Sequence, residues 1–264
     1  MNTYVMSDIH GCYDEMYNMF NKIGFSENDQ LIIAGDYIDR GNQNYEMLCW
    51  LENAPDNVLL LKGNHDVEFA YNIELMSMVI KSNNINIDLN DLKATRLVYE
   101  LTKQLLSKNE NGILFDYYGT IDSLINNKNV TLEKLFIWKS IIDDMPYLFK
   151  IKVSGKKYII VHAGYIQEDK LKGTNHSSLE DFYLYARDDA YKCGGEKDST
   201  IISGHTPTLS KSNISFNDGF VYKQFDKNKN CTFYNIDCGC SYKECQPNAH
   251  LACIRLNDEK IIYV

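Results

Sequence analysis

Five short polar segments of this sequence contain the residue types that chemistry at a metal ion requires. They lie at 7–11, 35–41, 63–66, 162–164 and 204–207. Each follows a run of apolar residues that is typical of a buried strand, and Asp8, Asp36 and Asn64 recur at intervals of 28 residues. Because the carboxyl ends of parallel strands share one edge of a sheet, we expect the segments to meet there.

The polar segments supply six nitrogen or oxygen donors. These are Asp8, His10, Asp36, Asn64, His162 and His205. Residues i and i+2 of an extended segment point to the same side, so Asp8 and His10 are predicted to face a common point. Six donors suit two divalent cations that share a carboxylate, an arrangement that activates water at phosphorus. No cysteine joins the set, which favours manganese, with iron or zinc as alternatives. Each residue alone could instead cap a helix or close a turn.

His65 lies beside Asn64 and is predicted to act as a general acid near the metal ions, because histidine can protonate a leaving oxygen near neutral pH. A carboxylate should orient its ring. Asp39 is the first candidate for this role and Asp66 the second. The alternative for Asp66 is the N-terminus of a helix, where acidic residues are common.

Arginine is scarce, with four residues against 23 lysines. Arg40 lies within a polar segment, where its planar guanidinium could bind two phosphate oxygens. Arg187 follows a helical pattern between the last two segments and is a second candidate for phosphate binding. Its alternative is a surface ion pair with Asp188 or Asp189.

The polar segments are connected by predicted strands and helices. Apolar runs at 3–6, 31–34 and 58–61, with helical spacing between them, predict parallel strands joined by right-handed crossovers. Apolar residues at three- and four-residue steps predict a mostly helical insertion at about 67–145. Strand patterns then return at 148–153, 158–161, 201–202, 220–225, 232–236, 251–256 and 261–264.

Composition excludes several classes of protein. The 264 residues are 44% hydrophobic and 24% charged, which predicts a soluble globular protein. We expect it to be cytoplasmic because the N-terminus lacks a basic signal segment, and there is no apolar run long enough for a membrane span. The formal charge of −9 argues against nucleic acid or anionic membrane as partners. The eight cysteines are expected to be free thiols, with zinc at Cys238, Cys240 and Cys245 less favoured.

The five segments resemble the signature of the calcineurin-like metallophosphoesterases, in the branch that contains phosphoprotein phosphatases and symmetrical diadenosine tetraphosphatases. The resemblance covers 1–66 and about 147–264. It implies an α/β fold, a four-layer α-β-β-α sandwich in one domain over 1–264, with the helical insertion at about 67–145. One departure is Asn42, where a proline often follows the glycine.

The resemblance also implies roles for single residues. Asp8 and His10 would bind one ion, Asp36 would bridge, and Asn64, His162 and His205 would hold the other. His65 corresponds to the general acid, Asp39 to its partner and Arg40 to a phosphate contact. The position of Arg187 corresponds less closely, because no glycine-anchored motif surrounds it.

Together these features predict a metal-dependent phosphoesterase that hydrolyses phosphomonoesters by direct attack of metal-bound hydroxide. The substrate is a phosphorylated protein or a small phosphorylated molecule. A serine/threonine phosphoprotein phosphatase is the first hypothesis. The alternative is a hydrolase of dinucleoside polyphosphates such as diadenosine tetraphosphate, or of another small metabolite, which an insertion that roofs the site would favour. A catalytically silent binding module would be expected to lack some ligand residues, and none is missing.

Overall fold

Two five-stranded sheets stack face to face, with helices on both outer surfaces. The structure is a computed structural model that describes residues 1–107, 114–192 and 195–264. The strands are β1 (Thr3–Met6), β2 (Gln30–Ile33), β3 (Val58–Leu60), β4 (Leu148–Val153), β5 (Lys156–Val161), β6 (Ser199–Ser203), β7 (Tyr222–Asp226), β8 (Cys231–Asn235), β9 (Ala252–Arg255) and β10 (Lys260–Tyr263). Most lie within two residues of the predicted strands.

Eight α-helices occur in the described residues. They are α1 (Tyr13–Ile23), α2 (Asn44–Glu52), α3 (Asn64–Ser82), α4 (Leu92–Ser107), α5 (Thr120–Lys128), α6 (Leu132–Asp144), α7 (Leu179–Tyr185) and α8 (Asp188–Lys192). Two short 3₁₀ helices span Glu168–Gly173 and Cys240–Tyr242. No helix in the described ranges is long and apolar enough to cross a membrane.

Both sheets combine a parallel centre with antiparallel edges. The first has the order β10-β9-β1-β2-β3, in which β1, β2 and β3 are parallel, as predicted. The second has the order β4-β5-β6-β8-β7, in which β5, β6 and β8 are parallel and the outer two strands are antiparallel. The parallel strands of each sheet end together, which creates the edge that a ligand site needs.

The hydrophobic core has three layers. Alternate strand residues such as Val5 and Ile32 from the first sheet meet Ile160 and Ile202 from the second. The opposite face of the first sheet packs against α1, α2, α3 and α6, and that of the second packs against α7 and α8. The central strands β1, β2 and β6 are buried on both faces, a position that is typical of strands with near-continuous apolar runs. The predicted four-layer α-β-β-α sandwich is confirmed.

The segment predicted to be a helical insertion contains α3 to α6. Helix α3 begins at Asn64 rather than after the polar segment, so Asn64 and His65 lie in its first turn. Trp138 of α6 is 1% exposed within the cluster that these helices form with the first sheet. The assignment of the whole chain to one domain stays a prediction.

Seven cysteines lie in the described residues and are free thiols. Of the three that could have formed a zinc site, Cys238 and Cys240 are buried and Cys245 is exposed. Burial raises the pKa of the Cys238 thiol, which disfavours the thiolate that zinc requires. Cys193 lies outside the described residues.

Candidate active site

The polar segments meet at the carboxyl ends of the parallel strands. All six predicted metal ligands are buried there, with exposures from 0% for His162 to 7% for Asn64. Asp36 lies at the centre of the group. Its Oδ2 is 3.4 Å from Nε2 of His10 and 3.5 Å from Nε2 of His162. This position is the one that a bridging carboxylate requires.

Nitrogen and oxygen donors form two clusters that share Asp36. One contains His10, Asp36 and His65, and the other contains Asp36, His162 and His205. His65, which the sequence assigns to acid catalysis, thus lies close enough to contribute to the first cluster, with Nε2 at 4.0 Å from Asp36 Oδ2.

Asn64 joins the second cluster through its side-chain oxygen. Oδ1 lies 3.0 Å from Nε2 of His162 and 2.9 Å from Nδ1 of His205. Nδ1 of His162 donates to the carbonyl oxygen of Ala34 at 2.9 Å, so Nε2 of the neutral ring carries a lone pair. In this orientation of the Asn64 amide, two acceptors face each other, an arrangement that a cation between them would stabilise.

Asp8 lies beside these clusters rather than within them. Both carboxylate oxygens accept from the backbone N–H of His205, at 3.0 and 3.1 Å. The expectation that Asp8 and His10 share one side of an extended segment is wrong. Both residues have left-handed backbones, with φ of 53° and 49°, so the chain turns sharply and the alternation of an extended strand does not apply.

Left-handed backbone is concentrated in this site. Asp36, Asp39 and His205 have φ of 58°, 69° and 68°. Such conformations cost on the order of 1–3 kcal/mol each in a non-glycine residue and persist where surrounding contacts enforce them. The strain is typical of a site whose side chains must converge on one point.

Burial dominates the electrostatics of the cluster. It raises the pKa of Asp8 and of Asp36 well above the usual range and lowers the pKa of His162 to about 3, because the charged form of each group is poorly solvated inside a protein. Nε2 of His205 is buried and has no hydrogen-bond partner among the described residues. That nitrogen is not the one that faces the cluster, because Nδ1 of His205 lies toward Asn64 and His162. Buried carboxylates and neutral imidazoles whose nitrogens converge on Asp36 and Asn64 together fit a pair of divalent cations, which would compensate the charge and bind the lone pairs.

His65 is held from both ring nitrogens. Nδ1 lies 2.8 Å from Oδ2 of Asp39, and Nε2 accepts from Nη2 of Arg40 at 3.0 Å. The first candidate for the orienting carboxylate therefore contacts the ring. Asp66 instead accepts from the backbone N–H groups of Gly63, Asp36 and Tyr37, at 2.9, 2.8 and 3.0 Å. This geometry matches its alternative role at a helix N-terminus.

The two predicted phosphate contacts differ in position. Arg40 lies at the cluster, with its guanidinium 5.9 Å from the ring of Tyr242. Arg187 is exposed and donates to Oγ1 of Thr206 at 3.2 Å. Within the described residues it makes no ion pair with Asp188 or Asp189. Its charge lowers the pKa of both His162 and His205 after the larger effect of burial, so it lies near the second cluster.

Two buried residues of the site were missed by the sequence analysis. Asp237 is 2% exposed, and burial raises its pKa to about 6. It follows β8 at the carboxyl edge, so the rule used for the other strands could have found it. Thr120 donates from Oγ1 to Oδ1 of Asp39 at 2.5 Å. No local pattern distinguishes Thr120, because it comes from the insertion.

An aromatic cavity opens beside His65. It has a volume of about 340 Å³, and Asp39 and Thr120 contribute to its wall. The other residues that line it are Glu68, Phe69, Tyr71, Asn72, Leu114, Asp116, Tyr117 and Tyr118. The ring of Tyr118 lies 4.8 Å from that of His65, so the cavity adjoins the predicted general acid.

Comparison with known proteins accounts for this arrangement. A sequence model described as calcineurin-like phosphoesterase matches residues 1–237. The chain belongs to this family. Members of this family bind two metal ions. The two donor clusters that share Asp36 in this phosphoesterase fit such a pair of ions, as the resemblance implied.

Curated proteins with two different named activities are similar to parts of this phosphoesterase. Symmetrical bis(5'-nucleosyl)-tetraphosphatases include one from Buchnera aphidicola, 36% identical over 107 residues, covering 40% of this chain and 38% of the relative. Another, from Wigglesworthia glossinidia brevipalpis, is 30% identical over 142 residues, covering 50% and 52%. The serine/threonine-protein phosphatase PP1-delta of Caenorhabditis elegans is 41% identical over 66 residues, covering 24% and 22%. The matches thus span about half or less of each relative.

Solved structures support the fold. A candidate diadenosine tetraphosphatase superposes with a TM-score of 0.55 at 14% identity, over 100% of this chain and 92% of the other. A serine/threonine phosphatase from Saccharomyces cerevisiae superposes with a TM-score of 0.50 at 16% identity, over 100% and 79%. At these identities the similarity concerns the architecture alone.

Proposed function

We propose that this phosphoesterase hydrolyses dinucleoside polyphosphates in a metal-dependent reaction. The observation that carries the catalytic part of the proposal is the position of His65. It lies between the carboxylate of Asp39 and the guanidinium of Arg40, with Nε2 at 4.0 Å from Asp36 Oδ2. An acid, a cationic phosphate contact and a metal-binding cluster are thereby adjacent, as hydrolysis at phosphorus requires.

Each residue of the site has its own role in the proposed reaction. Asp8, His10, Asp36, Asn64, His162 and His205 would hold two divalent cations, which supply a nucleophilic water at neutral pH and neutralise phosphoryl oxygens. Arg40 binds an oxygen of the phosphoryl group that is attacked. Asp39 holds Nδ1 of His65, so that Nε2 presents its proton to the departing oxygen. Arg187, at the exposed side of the second cluster, binds a neighbouring phosphate.

The substrate class rests on two observations. The relatives named symmetrical tetraphosphatases align over more of this chain than the protein phosphatase does. In addition, the aromatic cavity offers the rings of Tyr71, Tyr117 and Tyr118, and a nucleobase can stack on such rings for about 1–3 kcal/mol. The dinucleotide alternative of the sequence analysis therefore fits at least as well as its first hypothesis.

A phosphoserine/phosphothreonine phosphatase is the second candidate. It is supported by the PP1-delta relative and by the contact of the Asp39 and Arg40 side chains with His65. Neither feature excludes a nucleotide substrate, because both concern the phosphoryl group and not the group attached to it.

A substrate panel tests the proposal. Diadenosine tetraphosphate, phosphoserine and phosphothreonine peptides, and phenyl phosphate are compared with added Mn²⁺ and with a chelator. We expect the dinucleotide to have the highest kcat/KM, to yield two molecules of ADP, and to be stable in chelator. His65→Ala and Asp36→Asn should each lose at least about 100-fold in kcat. Preferred turnover of the peptides would support the second candidate, and activity that both variants retain would contradict the assigned roles.

Manganese is the ion that we propose, with iron or zinc as alternatives. The donors are carboxylate, amide and imidazole groups without a thiolate, a set that suits these metals. Elemental analysis of protein purified without added metal checks this assignment. Two manganese ions per chain are expected. A stoichiometric content of iron or zinc would instead identify that metal as the bound ion.

A further inference from the structure

A hydroxyl group of the helical insertion binds one of the catalytic residues directly. Oγ1 of Thr120, the first residue of α5, donates to Oδ1 of Asp39 at 2.5 Å. The other oxygen of Asp39, Oδ2, lies 2.8 Å from Nδ1 of His65. Thr120, Asp39 and His65 are 3%, 5% and 3% exposed. Thr120 therefore binds the carboxylate oxygen that the imidazole leaves free.

We propose that Thr120 is a positioning residue that holds Asp39, and through it His65, in the orientation for protonating the leaving group. The inference rests on the proposed phosphoesterase function. Rotation of a carboxylate about χ2 has a broad energy profile, so a single hydrogen bond to Oδ2 does not fix its plane. A second hydrogen bond, to Oδ1, fixes the plane of the carboxylate. Asp39 also has a left-handed backbone, with φ of 69°, which only surrounding contacts can maintain.

Thr120 is itself held in a defined turn. Gly119 precedes α5 with φ of 69°, a conformation that glycine adopts without strain. The carboxylate of Asp116 accepts from the backbone N–H groups of Ile121 and Asp122 at 2.9 and 2.8 Å, which caps the helix. Tyr99 of α4 donates to Asp116 at 3.0 Å. The turn is thus fixed to the rest of the insertion, and Thr120 can transmit that rigidity to Asp39.

Leaving-group dependence distinguishes positioning from general structural support. p-Nitrophenolate departs with little need for a proton, whereas phenolate needs protonation. Thr120→Val should therefore lower kcat for phenyl phosphate about 10-fold and that for p-nitrophenyl phosphate less than about 2-fold, with KM unchanged. Thr120→Ser keeps the donor and should restore both values. The matched control is Thr102→Val, because Thr102 is 0% exposed in the same insertion but donates to Val98 of its own helix at 2.7 Å.

Equal losses on the two phosphates, or a serine variant no better than valine, would overturn the proposal. A second measurement does not depend on turnover. The imidazole Nδ1–H resonance of His65, assigned with His65→Ala in the Mg²⁺-loaded protein, should shift or broaden in Thr120→Val and stay in place in Thr102→Val. An unmoved resonance would also overturn the proposal. Wild-type protein that hydrolyses neither of these phosphates nor diadenosine tetraphosphate would contradict the proposed function instead, and the resonance would still decide the role of Thr120.

Discussion

Nη2 of Arg40 donates to Nε2 of His65 at 3.0 Å, the nitrogen from which the leaving group would receive its proton. Arginine has no acceptor, so this contact requires Nε2 to be unprotonated and places the ring proton on Nδ1, toward Asp39. A phosphate that draws Arg40 away would free Nε2 to bind a proton. In the proposed mechanism, phosphate binding and preparation of the acid would therefore be linked through one guanidinium.

Substitution of Arg40 tests this link. Arg40→Ala should lower kcat/KM by about 100-fold and weaken inhibition by inorganic phosphate, because a phosphate contact is lost. Arg40→Lys should recover only part of either value, since an ammonium cannot form the planar pair of bonds. Steady-state kinetics with phosphate as inhibitor measure both. Arg96→Ala, an exposed position in α4, is the control. Unchanged phosphate inhibition in Arg40→Ala would contradict the role.

Metal removal should destabilise the fold. The buried carboxylates of Asp8 and Asp36 have pKa values that burial raises well above their usual range, so their ionised forms need compensating cations. An ion at about 1,000 times its Kd adds about 4 kcal/mol. A chelator should therefore lower Tm by several degrees, and Asp36→Asn should reduce that difference. Calorimetry with and without chelator checks the expectation, and equal Tm values for wild-type protein in both conditions would refute it.

Close packing at Gly204 gives a third prediction. A Cβ at this position would overlap Oδ2 of Asp8 and Oγ of Ser7. Gly204→Ala should displace the Asp8 carboxylate, weaken metal retention and lower kcat by about 100-fold, since small displacements of reacting groups are costly. Gly173→Ala is the matched control, because its Cβ meets no atom within 4 Å. Metal content and kcat are measured for both variants. Wild-type values in Gly204→Ala would contradict the prediction, because the Asp8 carboxylate would then tolerate the added methyl group.

The strand ends of the site could be predicted because their signal is local. Asp8, Asp36 and Asn64 each follow an apolar strand, and β1, β2 and β3 are parallel neighbours in one sheet. The order of the strands then brings their ends together without further information. His162 and His205 follow β5 and β6 in the second sheet for the same reason.

The rest of the site depends on tertiary packing. Thr120 is 81 residues from Asp39 in the sequence, and the helical spacing of the insertion does not tell where its turns lie over the sheet. The left-handed backbone of Asp8 and His10 is likewise imposed by contacts from distant segments, such as Gly35 and His205 to Asp8. Sequence periodicity describes regular elements, so it failed where the chain is neither helix nor strand.

Substrate choice gives a fourth prediction. Tyr117 is 68% exposed at the aromatic cavity and is available to a base. Tyr117→Ala should raise KM for diadenosine tetraphosphate about 10-fold, because one stacking contact is lost, and should leave kcat/KM for phenyl phosphate unchanged. Tyr117→Phe keeps the ring and should resemble wild type. Kinetics with both substrates test this, and a similar loss on both would mean that the ring supports the catalytic site rather than the base.

The last prediction concerns acid stability at the far end of the second sheet. Partial burial would raise the pKa of Glu196, but hydrogen bonds from Lys150, Lys157 and Tyr165 lower it to about 2. A carboxylate with a lowered folded pKa adds stability above its unfolded pKa of about 4.3, and this contribution disappears as pH falls toward the folded value.

Glu196→Gln should therefore lower the free energy of unfolding by roughly 1 kcal/mol at pH 7, a small effect because the lysines are partly exposed. The difference from wild type should shrink between pH 5 and pH 2 by about that amount. Urea unfolding across this range measures it, with Glu100→Gln, an exposed position in α4, as the control. A difference that stays constant down to pH 2 would show that the effect of Glu196 is one of packing and not of charge.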